Sequence, residues 1–231
     1  MRVKRVSRAL LVMLVMLVPA AAGAQERPGL RRGHFTIGVA GVWSGSYDVG
    51  DSTAELRGNG PGSSPTPFTL FKAKSRLTST AAPMFEVGIA LSRTLALEGR
   101  VLYARPHIAV SISGDPEAPA QELPGERLEQ YQFEGGLTWQ LPVGLGSRLA
   151  PFVGAGAGYL RQLHEDRTLA ESGQIYHAGV GARWWIAGGG PSSKAFGLRA
   201  DVRMNARRNG IDFENKMRAY PSVSLSAFLG L

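Results

Sequence analysis

The stretch QYQFEGGLTWQL, residues 130–141, sets two kinds of side chain on two faces. Tyr131, Phe133, Leu137, Trp139 and Leu141 fall on one, and Gln130, Gln132, Glu134, Thr138 and Gln140 on the other. A period of two is that of an extended strand, whose successive side chains point to opposite faces. Tyr131 and Trp139 stand eight residues apart on the apolar face, and Phe35 with Trp43 and Tyr176 with Trp184 repeat that spacing. At about 3.3 Å per residue and a tilt near 40°, eight residues rise roughly 20 Å. That height suits the gap between the aromatic girdles of a membrane-spanning barrel, whose apolar band is about 25 Å tall. The apolar face is therefore expected to meet lipid and the polar face to fill the interior.

Seven further segments fit the same scheme. FTIGVAGVW (35–43), MFEVGIALS (84–92) and LALEGRVLYA (95–104) precede it; YHAGVGARWW (176–185), FGLRADVRM (196–204) and SVSLSAFLGL (222–231) follow it. In LAPFVGAGAGYL (149–160) both faces are apolar or tiny, and Val153, Ala155, Ala157 and Tyr159 are assigned outward so that Tyr159 joins a girdle. Eight is an even number, as bacterial single-chain barrels require. The connections 48–81, 105–127, 161–174 and 205–218 are long, whereas 92–94, 142–147 and 187–195 are shorter. The predicted fold is an all-β, eight-stranded antiparallel up-and-down transmembrane barrel with four longer extracellular loops and short periplasmic turns. Its outer girdle holds Trp43, Tyr103, Tyr131, Tyr159 and Tyr176; its periplasmic girdle holds Phe35, Trp139, Trp184 and Phe196. A soluble sandwich also alternates, but it would turn its apolar face inward and its charges outward.

The chain has 231 residues, and its first 24 read as a cleaved export signal. Arg2, Lys4, Arg5 and Arg8 precede the ten-residue apolar core ALLVMLVMLV, and Ala22-Gly23-Ala24 supplies an A-x-A cleavage site. Ten apolar residues are too few to span a bilayer as a helix. Removing the signal lowers the formal charge from +8 to +4, so basicity is no argument for a nucleic-acid partner. There is no cysteine, hence neither disulfide nor lipidated N-terminus. Residues 25–33 form a short polar lead-in, and 34–231 the barrel. Because lipid cannot satisfy an open strand edge, a membrane chain without an apolar helix has to close its sheet.

The inward positions collect four acids, Glu86, Glu98, Glu134 and Asp201, and four arginines, Arg100, Arg183, Arg199 and Arg203. An eight-stranded barrel is just wide enough for side chains to fill, so these charges are expected to pair as a neutral network. Arg207, Arg208, Lys216 and Arg218, in the fourth long connection, are candidates for contact with lipopolysaccharide phosphates. His34, His107, His164 and His177 show no metal-ligand spacing, so no metal or other cofactor is expected. The run GAGAG at 154–158 lacks the Lys-Ser/Thr of a phosphate loop and reads as close packing.

ALEGRVLYARP (96–106), APFVGAGAGYL (150–160), GLRADVR (197–203) and the alternating terminal strand resemble the eight-stranded outer-membrane β-barrel family, the OmpA/OmpX-like superfamily. The resemblance covers about 35–231 and implies a barrel of the Gram-negative outer membrane, exported through a Sec signal, with both termini periplasmic. It implies outer-membrane lipid and the barrel-assembly machinery as partners, and a monomer. Family members commonly end in an aromatic residue read by that machinery; this chain ends in Leu231. Lipid A deacylases on this fold carry His-x-Ser on a strand, and no histidine here is followed by Ser two places on. Palmitoyltransferases use loop His, Asp and Ser, which His107, Ser111, Ser113 and Asp115 imitate in composition. The expected function is structural or surface-interacting, without catalysis; the alternatives are a lipid-modifying enzyme and a narrow solute channel.

The loop asymmetry predicts an orientation. Cysteines at Ser63, Glu117 and Asn209 should react with an impermeant reagent on intact cells, and cysteines at Thr94 and Ser192 should not. Labelling confined to the last two would invert the topology.

Overall fold

The computed structural model describes residues 32–56, 68–115, 118–143, 148–165, 169–187, 194–214 and 216–231. The export signal, most of the lead-in, and the positions Ser63, Glu117 and Ser192 lie outside these. Twelve strands follow in chain order: β1 (Phe35–Ser44), β2 (Tyr47–Leu56), β3 (Phe68–Leu77), β4 (Thr80–Ala90), β5 (Leu95–Ala104), β6 (His107–Ser113), β7 (Gln121–Arg127), β8 (Glu129–Gln140), β9 (Leu149–Leu163), β10 (Ala170–Ala187), β11 (Ala195–Asn209) and β12 (Arg218–Gly230). Eight of them close an antiparallel barrel in the order β1-β12-β11-β10-β9-β8-β5-β4. Closure is direct: β1 pairs with β12 from Thr36↔Gly230 to Ser44↔Ser222, and with β4 from Phe35↔Ile89 to Ser44↔Thr80.

The barrel is turned inside out relative to a soluble one. Val39, Phe85, Val101, Phe133, Leu137, Val202 and Leu225 are exposed on the outer face, Leu225 to 61 %. Arg100, Arg183, Arg199 and Asp201 are each no more than 7 % exposed on the inner one. Strand β9 takes the expected register, with Ala155, Ala157 and Tyr159 outward and Phe152 and Leu160 inward. The small inner face of β9 is obligatory. A Cβ at Gly156 would collide with the Gly135 carbonyl and lie 2.8 Å from His177 Cε1.

One short turn is built locally. Leu91 N–H donates to Leu95 O at 2.9 Å, and Ser92 Oγ accepts from the amides of Thr94 (3.2 Å) and Leu95 (3.0 Å). At the other end of the barrel the outcome differs from the expected open loops. Strands β2, β3, β6 and β7, almost wholly from within 48–81 and 105–127, form a four-stranded sheet ordered β2-β3-β6-β7, standing on the barrel mouth. Strands β9, β10 and β11 also run past the outer girdle, so the connections 161–174 and 205–218 shrink to 164–169 and 210–217. Polar residues continue the strand parity there, and a search for apolar alternation cannot see them. Gly210, at φ 78°, takes the left-handed turn after β11, and a Cβ there would press on Arg207 Nη2 and Gln162 Oε1.

Val101 sits outward between Phe85 on β4 and Phe133 on β8. Val101→Arg should lower the unfolding free energy in lipid by about 2–4 kcal/mol, and Val101→Leu should leave it nearly unchanged. Urea titration of both variants in one lipid checks this; equal midpoints would reverse the outward assignment.

Candidate functional site

The floor of the barrel interior is apolar. Trp185 on β10 and Phe228 on β12 meet edge to face, with centroids 4.8 Å apart, and Ala90, Ala96 and Ala195 close around them. Above this floor strand parity brings the inward charges of β4, β5, β8, β10 and β11 to one level. Glu98 is the hub. It accepts from Arg100 Nη2 at 2.9 Å, from Arg199 Nη1 at 2.8 Å and from Arg183. Asp201 accepts from Arg203 Nε at 2.6 Å and Arg199 Nε at 3.1 Å. Glu86 accepts from Ser226 Oγ at 2.8 Å and faces Arg100 and Arg199 at 3.7 and 3.8 Å. Glu134 lies 3.4 Å from Arg203 Nη1 and 3.5 Å from His177 Nδ1. Phe152 inserts its ring beside Arg199 (4.3 Å to Cζ) and Arg183 (5.2 Å), covering guanidinium faces that carboxylates cannot reach. The four arginines and four acids make a network without formal net charge when His177 is neutral.

The space left is small. Cavities of about 20 Å³ beside Glu134 and His177, 10 Å³ beside Glu86 and Arg183, and 20 Å³ beside Asn205 and Tyr220 interrupt the network. A water needs about 10–15 Å³ of such volume, so each admits on the order of one water.

A second polar layer lies at the outer mouth. Gln162 Nε2 donates to Gln130 Oε1 at 2.8 Å, and Gln130 Nε2 to Gln132 Oε1 at 3.2 Å. Arg207 is 1 % exposed and donates to Gln162 Oε1 (2.8 Å), Asn209 O (3.0 Å), Ile211 O (3.3 Å) and the Tyr47 hydroxyl. Tyr47 stacks on Tyr220 at 4.8 Å. Over this layer Val49, Leu77, Ile108, Leu128 and Ile211 form an apolar lid joining the four-stranded sheet to the barrel. The interior thus runs from apolar floor through ion-pair layer and amide–tyrosine layer to apolar lid.

Two candidate groups are redistributed by these contacts. Arg207 is not a surface contact for phosphate: parity turns it inward, where the mouth layer occupies its guanidinium. Arg218 is half-buried against Asp212 (3.1 Å) and Glu214 (2.8 Å), and Lys216 pairs with Glu214 at 2.8 Å. Arg208 alone of the four is exposed without an ion pair among the described residues. His107 accepts from Arg127 Nε at 3.1 Å. Ser111 stands four residues further along β6, about 13 Å away at strand rise, too far for a proton relay. His164 Nδ1 lies 2.7 Å from Glu126. Among the described residues no His, Asp or Glu cluster forms a metal-ligand set.

Gln162, Arg207 and Tyr47 lie outside the sequence expectation as interior residues. For Gln162 and Arg207 the signal was available. They continue the parity of Leu160 and of Arg203 along their strands.

The nine girdle aromatics all lie on the outer face, seven exposed and Tyr103 and Tyr131 half-buried against each other at 5.0 Å.

No family model matches the chain, and no curated protein sequence matches it. Among solved structures it is similar to the outer membrane protein OprG from Pseudomonas aeruginosa, at 13 % identity and TM-score 0.44, covering 89 % of this chain and 98 % of that one. It is similar to Neisserial surface protein A at 13 % identity and TM-score 0.47, over 86 % and 96 %. The attachment invasion locus protein Ail of Yersinia pestis gives 11 % identity and TM-score 0.38, over 87 % and 99 %. The eight-stranded barrel is established by its own closed pairing, independently of these likenesses.

Two outcomes are expected. Arg199→Ala strips Glu98, Asp201 and Phe152 of one shared partner and should cost about 3–5 kcal/mol, whereas Arg208→Ala should stay within about 0.5 kcal/mol; urea midpoints decide. The hydrogen bonds from Lys216 and then Arg218 hold the Glu214 carboxyl down at about 2. A depressed carboxyl stabilises above its unfolded value and loses that contribution as pH falls through its folded one. Hydrogen-exchange protection in 210–214 should therefore be full above about 4.5, decline progressively as pH falls below it, and lose this contribution by about 2.

Proposed function

We propose that this chain is a plugged integral barrel of the bacterial outer membrane, whose role is structural or surface-interacting rather than catalytic or conductive. The observation that carries the reading is the inversion of the barrel: an exposed apolar wall around a buried, charge-balanced interior. In water that wall would be an aggregation surface far larger than the few hundred Å² a monomer tolerates; in hydrocarbon it is the expected surface. Export through the N-terminal signal, periplasmic termini and a monomeric state belong to the same proposal. The four-stranded sheet would then stand outside the cell as a presented platform, with Arg208 beside its base open to lipopolysaccharide phosphate.

The filled interior speaks against the channel reading. Opening a path would require separating Glu98 from three arginines at once. In planar bilayers the folded protein should show no steady single-channel current, and Arg183→Ala should show none or brief openings. A stable, ion-selective current in the unmodified protein would overturn the plug. Acylation and deacylation assays on purified outer membranes, expected to give no product, test the enzymatic alternative.

A further inference from the structure

The short-turn rim carries a charge pattern that the ion-pair network does not use. Arg32 precedes β1, Arg93 lies in the β4–β5 turn, Arg148 precedes β9 and Lys194 precedes β11; all four side chains are exposed. None has an ion pair or a side-chain hydrogen bond among the described residues, and no Asp or Glu side chain is found among the described residues of this rim. Even with a carboxylate at Leu231, which bonds to Phe35 at this end, positive charge is in surplus. The opposite rim is mixed: Lys74 pairs with Asp48, Arg76 with Glu122, and Arg105 lies 3.6 Å from Glu129.

The height of these cations selects their partner. Arg148 O accepts from Trp185 N at 2.9 Å, and its neighbour Leu149 pairs with Trp184 of the lower girdle. Lys194 is two residues from Phe196 and Arg32 three from Phe35; Arg93 is two from Leu95, which pairs with Trp139. Each cation therefore lies within about 10 Å of a girdle aromatic along the strand. Girdle aromatics mark the headgroup level, so the four charges fall where lipid phosphates lie. Long Arg and Lys side chains reach such a layer while their stems stay in apolar surroundings.

We infer that this rim is a docking surface for anionic phospholipid headgroups of the periplasmic leaflet, with Arg32, Arg93, Arg148 and Lys194 as its contacts. The inference rests on the membrane-barrel reading above. The rim grips the inner side of the bilayer by charge while the outer wall grips its hydrocarbon.

The test uses the full chain and the variant R32Q/R93Q/R148Q/K194Q, reconstituted in vesicles of phosphatidylcholine with phosphatidylglycerol. Spin-labelled phosphatidylglycerol and phosphatidylcholine report the relative association of each lipid with the protein. The unmodified protein should favour the anionic label roughly five-fold or more, about what one basic side chain contributes at an anionic surface. The preference should fall to near parity in the variant and in high salt. Heat-modifiable migration and urea midpoints are read on the same samples. Failure of both proteins to insert would overturn the barrel reading itself. Normal insertion with no anionic preference, or a preference surviving in the variant, would overturn only the rim. Retention of isolated peptidoglycan by the unmodified protein alone, without lipid selectivity, would assign the rim to cell-wall carboxylates instead.

Discussion

Everything in this molecule depends on Glu98 and the three arginines around it. A carboxylate buried in an eight-stranded barrel would be prohibitively unstable alone, and so would each guanidinium. Together they neutralise one another, Arg199 also reaches Asp201 and the Phe152 ring, and Glu86 accepts from Ser226, while Arg100 Nη1 and Arg183 Nη1 are buried without a hydrogen-bond partner. The contacts come from β4, β5, β9, β10, β11 and β12, so the network ties strands across the barrel as well as along it. A wall held only by ladder hydrogen bonds would leave the interior to water. Here ion pairs and the Phe152 ring occupy the interior.

The ends of the barrel are sealed by different chemistry. The floor needs only a Trp–Phe contact among alanines, because β10 and β12 present large inward side chains at one level. The mouth is more polar, and a lid of Val49, Leu77 and Ile108 from the four-stranded sheet, with Leu128 and Ile211, closes it over the Gln–Tyr–Arg layer. Arg207 links these storeys, since it bonds to Tyr47 on β2, Gln162 on β9 and the backbone of the β11–β12 connection. The sheet is therefore fixed to the barrel, as a presented surface has to be if it is to hold a defined shape. The wall is thus apolar, the interior charged and hydrogen-bonded, and the four-stranded sheet anchored to the barrel through Arg207.

Much of this was legible in the sequence. Alternation in QYQFEGGLTWQL and six of its companions decided strands, their inward and outward faces, and the aromatic levels, because period two is a property of the extended backbone itself, while in LAPFVGAGAGYL the position of Tyr159 chose the face. Equal numbers of inward acids and arginines declared a pairing requirement, since buried charge has no cheap alternative. The sequence could not decide who pairs with whom. Glu98 meets Arg199, 101 positions away, through the registers that set β5, β8, β9, β10 and β11 side by side in the closed barrel. Nor could it reveal that β2, β3, β6 and β7 pair as one sheet, or that Arg207 meets Tyr47 and Gln162. Those outcomes depend on long-range strand pairing, in which each partner's position is set by closure of the whole barrel and by none of its segments alone.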